Sequence, residues 1–251
     1  MTGSTDRCLD GKTCLVTGGG RGIGRGVAEA LAGLGAVVAV ASRTVDECEV
    51  AARGIGRGAF ALECDVTSYE SCVAAVEDAT RGTGGLDVLV HAAGISPLRA
   101  RAEQHDPEAF ALIQEVNAVG AFNISHAAAS ALFTARGVVV FVSSVLGVIG
   151  SSRLAGYGAS KAAVNQLART LAREWADRGV RVNAVAPGYV PTALTAGVLA
   201  NEHLRSEIVR AVPMGRLAEL QEIVAPIVFL ATPSASYVTG ATLIVDGGMA
   251  A

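Results

Sequence analysis

The sequence predicts a single doubly wound α/β domain, with a seven-stranded parallel sheet and helices on both faces. Three observations predict it. Seven short apolar runs have strand length and read as buried strands. They alternate with segments whose apolar residues recur near helical period. No composition break or Pro/Ser linker divides residues 1–251, a length that suits one large core.

The elements follow in order. TCLVT (Thr13 to Thr17) is the first strand and enters a glycine-rich turn. Gly22 to Gly33 carries apolar Ile23, Val27, Ala30 and Leu31, with Leu34 following, and reads as the first helix. Ala36 to Ala41 is a strand, followed by a short helix at about Val45 to Arg53. Ala59 to Cys64 is a strand, followed by a helix from Ser68 to Thr80. Asp87 to Ala92 is a strand, followed by one long helix at about Pro107 to Ala135. Gly137 to Ser143 is a strand, followed by another long helix at about Leu154 to Arg178. Val180 to Ala186 is the sixth strand. A helix near Leu220 to Leu230 precedes the last strand, Ala241 to Val245. Between them, about 188–216, lies an irregular stretch with Pro191, Pro213 and several small residues. A long excursion inside a compact fold suggests an active-site lid.

Charge and composition exclude several function classes. A net charge of −3 argues against nucleic acid as the main partner, since phosphate binding needs a concentrated basic surface. The five cysteines are odd in number and form no CxxC pair, so a reducing, cytoplasmic compartment is expected. The four histidines lack metal-ligand spacing, so no metal site is expected. The first twelve residues do not read as a signal peptide, and no run of about 18 purely apolar residues suggests a membrane span.

TGGGRGIG, Thr17 to Gly24, places Gly18, Gly22 and Gly24 between the first strand and the first helix. Residues without Cβ permit a tight turn and a close approach to a pyrophosphate. The helix N-terminus offers free N–H groups and a positive dipole end. Arg21 lies inside this turn. At the end of the second strand, where an acid would hold a ribose 2′-hydroxyl, stand Ser42 and Arg43. Arg43, with Arg21 as a second charge, could pair with a 2′-phosphate, so NADP(H) is favoured over NAD(H). The alternative is that Arg43 is a solvated loop residue and Ser42 or Thr44 caps the next helix. Asp65, ending the third strand, either meets an adenine or caps the helix near Ser68.

Tyr157 and Lys161 share one helical face at i, i+4, after Ser143-Ser144 at a strand end. A free tyrosine titrates near 10, and a neighbouring ammonium favours its phenolate. Of 20 basic residues only Lys12 and Lys161 are lysines, so a compact ammonium at 161 is a chosen feature.

TGxxxGxG at Thr17 to Gly24, Ser144, YGASK at Tyr157 to Lys161, and PGYVPT at Pro187 to Thr192 together resemble the short-chain dehydrogenase/reductase family. The ending YVTGATLIVDGG, Tyr237 to Gly248, is similar to 3-oxoacyl-carrier-protein reductases. The resemblance implies a Rossmann-type fold and an oxidoreductase that interconverts a ketone and a secondary alcohol. It implies Tyr157 as general acid in reduction and base in oxidation, with Ser144, rather than Ser143, bonding the carbonyl oxygen. Lys161 would hold the nicotinamide ribose and lower the tyrosine pKa, and Asn117 would help hold a water for proton relay. Val190 would meet the carboxamide through its backbone, with Thr192 nearby. Ile23, Val66, Ala93, Gly94, Pro187 and Gly188 complete the implied cofactor contacts. One departure stands out: the family's NNAG is here His91-Ala92-Ala93-Gly94, which leaves a sheet-stabilising contact in question.

Three functions compete. The first is reduction of a 3-oxoacyl thioester on a carrier protein or coenzyme A, for which Arg136 and Arg178 are candidate docking charges near the site mouth, the favoured alternative being that they are solvated helix-end charges. The second is an alcohol, sugar or steroid dehydrogenase, including an NAD(H)-dependent one. The third is a non-catalytic dinucleotide sensor. The apolar stripe Ala159, Ala162, Ala163, Leu167, Leu171 and Trp175 packs partly on the sheet and leaves surface for a partner helix, and the resemblance implies a homotetramer.

Overall fold

A computed structural model describes residues 7–97 and 99–251. All seven strands form one parallel sheet in the order β3-β2-β1-β4-β5-β6-β7. They are β1 Thr13–Thr17, β2 Val37–Ser42, β3 Phe60–Glu63, β4 Val88–His91, β5 Val138–Val142, β6 Arg181–Pro187 and β7 Thr242–Val245. The helices are α1 Gly22–Gly33, α2 Val45–Ile55, α3 Tyr69–Ala79, α4 Pro107–Gln114, α5 Gly120–Ala135, α6 Ala155–Trp175, α7 Ala196–Leu199, α8 Glu202–Ala211 and α9 Leu220–Ala231. The architecture is the expected doubly wound one.

Alternate strand residues feed two cores. Leu15, Leu89, Val139 and Phe141 face α3, α5 and α6. Cys14, Val16, Val88, Val90 and Val140 face α1 and α9. Both sheet faces are therefore dry, which is why the strands read as continuous apolar runs. β1 pairs with β2 on one side and β4 on the other, so the chain's strand order reverses between β1 and β4. The loops leaving their C-terminal ends part there and open a crevice.

Two expectations need correction. The expected single helix at about Pro107 to Ala135 is interrupted by a π-helical turn, Glu115–Val119. The turn contains Asn117, whose side chain is fully buried and bonded to the loop after β4. A side-chain tie at one point of a helix is a sufficient cause for such a local bulge. The stretch 188–216, expected to be irregular, contains α7 and α8. Asn201 caps α8 by accepting a hydrogen bond from Leu204 N at 3.1 Å. Within α8 only Ile208 is buried, so its apolar period is faint in the sequence.

Candidate active site

The β1–α1 turn shows why its glycines are needed. Gly18 and Gly22 have φ of +65° and +56°. A Cβ at Gly18 would lie 2.7 Å from Ala93 N, in the loop after β4. The two loops thus touch through backbone across the crevice. Arg21 precedes α1 in an extended conformation and does not cap it with its side chain, so the first amides of the helix carry no side-chain acceptor. Ile23 packs into the core behind the turn, and Gly24 packs on the Gly18 carbonyl.

At the other side of β1, Ser42 donates to the Thr44 carbonyl at 3.0 Å and lies 3.1 Å from Cys48 Sγ. Neither Ser42 nor Thr44 caps α2 with its side chain. Arg43 is exposed, and among the described residues it makes no ion pair. Arg21 pairs with Glu47 at 3.5 Å, both side chains largely exposed. Asp65 accepts from the amide and hydroxyl of Thr67, at 3.0 and 2.8 Å, while Ser68 caps α3. Asp65 is therefore a turn former and not the helix cap. Val66 follows it, buried.

Beyond β4, a Cβ at Gly94 would stand 3.2 Å from Asn117 Oδ1 and 3.3 Å from Lys161 Nζ. Asn117 Oδ1 accepts from Ile95 N at 2.8 Å, and Nδ2 donates to Ile95 O at 3.0 Å and Ser160 Oγ at 2.9 Å. Ser160 in turn donates to the Tyr157 carbonyl at 2.8 Å. Ser160 lies within the YGASK motif, but the sequence reading gave it no role. It is the link between the π turn and the helix that carries Tyr157.

The two serines ending β5 divide their tasks. Ser143 Oγ donates to the Lys161 carbonyl at 3.1 Å and is buried. Ser144 accepts from Leu146 N at 3.1 Å and lies beside the Tyr157 phenol. Lys161, 4% exposed, donates from Nζ to Val142 O at 2.9 Å and stands 5.8 Å from the centre of the Tyr157 ring. Burial pushes Lys161 down to about 8. Burial pushes Tyr157 up to about 12, Ser144 pulls it down, and Tyr189 adds a smaller upward push. Burial is the largest effect on the ring, while Lys161 is itself lowered by burial and bonds the Val142 carbonyl through Nζ.

Pro187 ends β6, and Gly188 packs against Asp246. Val190 is buried, and the Thr195 hydroxyl donates to its carbonyl. Thr192 N donates to Thr195 Oγ1 at 3.0 Å, and the Thr192 side chain lies 3.7 Å from where a Cβ of residue 22 would be. The β6 loop therefore reaches back to the glycine turn. Thr195, absent from the sequence reading, is the pin that holds Val190 and Thr192.

Arg136 and Arg178 are not at this mouth. Arg136 follows α5 and precedes β5, and Arg178 precedes β6, at the opposite end of the sheet. Their place relative to strand direction, rather than their charge, excludes them from the cleft of the same chain. His91 is at the cleft floor. Its Nδ1 lies 2.8 Å from Thr17 Oγ1, its Nε2 has no partner, and burial together with Lys161 pushes it down to about 3. It is a neutral packed residue.

The arrangement fits an extended dinucleotide. Gly18 lets the turn before the α1 N-terminus pack directly on the Ala93 backbone, and the absence of a side chain at Gly94 leaves room bordered by Asn117 and Lys161. Tyr157 and Ser144 present two hydroxyls beside that space. Among the described residues, no group of three His, Cys, Asp or Glu is placed to hold a metal ion. No helix among them is long and apolar enough to cross a membrane.

Comparisons with known proteins agree in family. A family model described as enoyl-(acyl carrier protein) reductase matches residues 18–250. The chain is 38% identical over 242 residues to a 3-oxoacyl-[acyl-carrier-protein] reductase of Vibrio cholerae, covering 96% of this chain and 98% of that one. It is 35% identical over 245 residues to a 2-dehydro-3-deoxy-D-gluconate 5-dehydrogenase of Pseudoalteromonas atlantica, covering 96% of each. A solved structure from Beutenbergia cavernae, named for an NAD(P)-dependent gluconate 5-dehydrogenase and holding NADP at low occupancy, superposes with a TM-score of 0.91. It is 40% identical and covers 98% of this chain and 99% of that one.

Proposed function

The chain belongs to the short-chain dehydrogenase/reductase family, oxidoreductases of carbonyl and alcohol groups, and from this we propose that it reduces a ketone to a secondary alcohol with NADP(H). The observation that carries the reading is the convergence of Ser144, Tyr157, Lys161 and Asn117 beside Gly94. When bound, the nicotinamide supplies the hydride. Ser144 and Tyr157 hydrogen-bond the carbonyl oxygen, and the Tyr157 hydroxyl gives it a proton. A phenol held at about 12 is fully protonated at neutral pH, as a donor must be. Lys161 holds the ribose hydroxyls and supplies positive charge beneath Tyr157. Both ends of the Asn117 amide are committed to Ile95 and Ser160, so a relay water falls to the Asn117 backbone carbonyl in the π turn.

The NADP(H) preference rests on Arg43, exposed at the end of β2 with no acid at 42 or 43. Ile23, Asp65, Val66, Ala93, Pro187, Gly188, Val190 and Thr192 line the rest of the cofactor's path, and α7 and α8 form the lid over it. The substrate is a free ketone or a 3-oxoacyl thioester, since relatives of comparable identity carry names of both kinds. Two separate exposed apolar faces support a homotetramer, because such an assembly needs two different self-complementary contacts. One comprises Leu112, Val119 and Phe122 on the α4–α5 rod, with Ala159, Ala162 and Ala163 of α6 also exposed. The other comprises Leu243 of the edge strand β7 with Phe229 of α9. All five cysteines are free thiols, in keeping with a cytoplasmic site.

The test is turnover of acetoacetyl-coenzyme A and of free ketones with NADPH and with NADH. Reduction with higher kcat/KM for NADPH supports the reading. Equal or better use of NADH overturns the cofactor assignment, and cofactor binding without turnover of any carbonyl revives the sensor.

A further inference from the structure

The segment after β7 turns back on itself in a specific way. Asp246 accepts two backbone hydrogen bonds, from Gly248 N at 2.9 Å and from Ala250 N at 2.7 Å. Gly247 and Gly248 have φ of +67° and +91°, which lets the chain reverse within two residues. The turn also touches the end of the lid. Met214 N donates to the Gly247 carbonyl at 3.1 Å, and a Cβ at Gly247 would lie 2.7 Å from Val212 Cγ1. The hook delivers Met249 and Ala250, both half-buried, onto the small apolar cluster of Val145, Leu146 and Leu154. Ile149 and Tyr157 pack on the same cluster.

A methionine is thus held beside the loop that carries Ser144 and on the cluster that seats Tyr157, by a backbone clamp that also bears the lid. We infer that Met249 is a specificity-determining wall of the substrate pocket, meeting the apolar substituent of the carbonyl whose oxygen Tyr157 protonates. This rests on the carbonyl-reductase reading above. The substrate class it selects is a ketone with an apolar group of moderate bulk on one side. Methionine's flexible thioether suits a range of such groups.

The experiment compares NADPH-dependent reduction of diacetyl and of benzil by the wild type and by Met249→Ala, Met249→Trp and Met249→Leu. The ratio of kcat/KM for benzil over diacetyl is expected to rise about tenfold in Met249→Ala and to fall about tenfold in Met249→Trp. Met249→Leu, which conserves volume, keeps the ratio within about threefold, and NADPH affinity stays the same in all three. Should Met249→Ala fail to fold, Met249→Trp makes the same comparison in the opposite sense. An unchanged ratio in the folded variants, with turnover intact, overturns the inference. No turnover of either diketone by a wild type that reduces other ketones overturns this inference alone, whereas no turnover of any carbonyl overturns the carbonyl-reductase reading and takes this one with it.

Discussion

The Thr17 hydroxyl and His91 Nδ1 lie 2.8 Å apart, joining the last residue of β1 to the last residue of β4 where the sheet's strand order reverses. This pair ties the two strands together at the crevice floor. Its imidazole is pushed down to about 3 by burial and by Lys161. The unfolded chain takes up a proton near pH 6.5, which the folded chain refuses until about pH 3. Stability therefore falls as pH falls through that window. His91→Asn should remove this contribution, making unfolding less pH-dependent by roughly 3 kcal/mol at pH 4.5. Thr17→Val, which strips the imidazole of its partner, should cost about 1–3 kcal/mol at neutral pH. Urea melts of the three proteins across pH check both, and parallel pH curves for wild type and His91→Asn contradict the account.

Lys161 is held at about 8 by burial instead of its ordinary 10.5. Between those values the unfolded chain binds the extra proton, so stability rises with pH from about 8 to 10.5. Below pH 8 the buried charge costs the fold on the order of 3 kcal/mol. Lys161→Met should therefore melt higher than wild type at pH 7 and lose most of its activity. A variant both less stable and inactive would show instead that the bond from Nζ to Val142 O dominates.

Arg43 and Arg21 make separable predictions about the cofactor. Arg43→Ala should raise KM for NADPH at least about tenfold and leave NADH nearly unchanged, since a charge-assisted bond to a phosphate is lost. Arg21 is tied only by a long, exposed pair to Glu47, the kind worth about 0–1 kcal/mol. Glu47→Gln should release Arg21 and tighten NADPH modestly. Steady-state kinetics with both cofactors checks these, and equal effects on NADPH and NADH would remove the 2′-phosphate from the explanation.

The two exposed apolar faces predict a mass four times that of the chain by light scattering. Phe122→Glu, at an exposed site on α5, should halve it without loss of helix content. A wild-type monomer contradicts the assembly.

The central sheet was legible because β1, β4 and β5 are buried on both faces and so run largely apolar; Val138–Val142 is five residues with no polar side chain. The chemical residues were legible through spacing: Gly18 to Gly24 on a turn, Tyr157 to Lys161 on one helical face. Tertiary closure was not. The π turn depends on what Asn117 bonds to 22 residues away at Ile95. Arg136 and Arg178 were assigned by charge, yet strand direction puts them at the far end of the sheet. The direction of the Tyr157 shift depends on burial, which adjacency to a lysine does not encode. The Asp246 hook depends on two glycines reversing the chain against the residues that follow α8, a long-range contact that no local pattern encodes.

The central claim is that the Tyr157 hydroxyl delivers the proton. The direct measurement is NADPH-dependent ketone reduction by Tyr157→Phe alongside NADPH binding by titration calorimetry. The account predicts a fall in kcat of at least about 100-fold, with the NADPH dissociation constant within about threefold of wild type. A kcat close to wild type in Tyr157→Phe would contradict it.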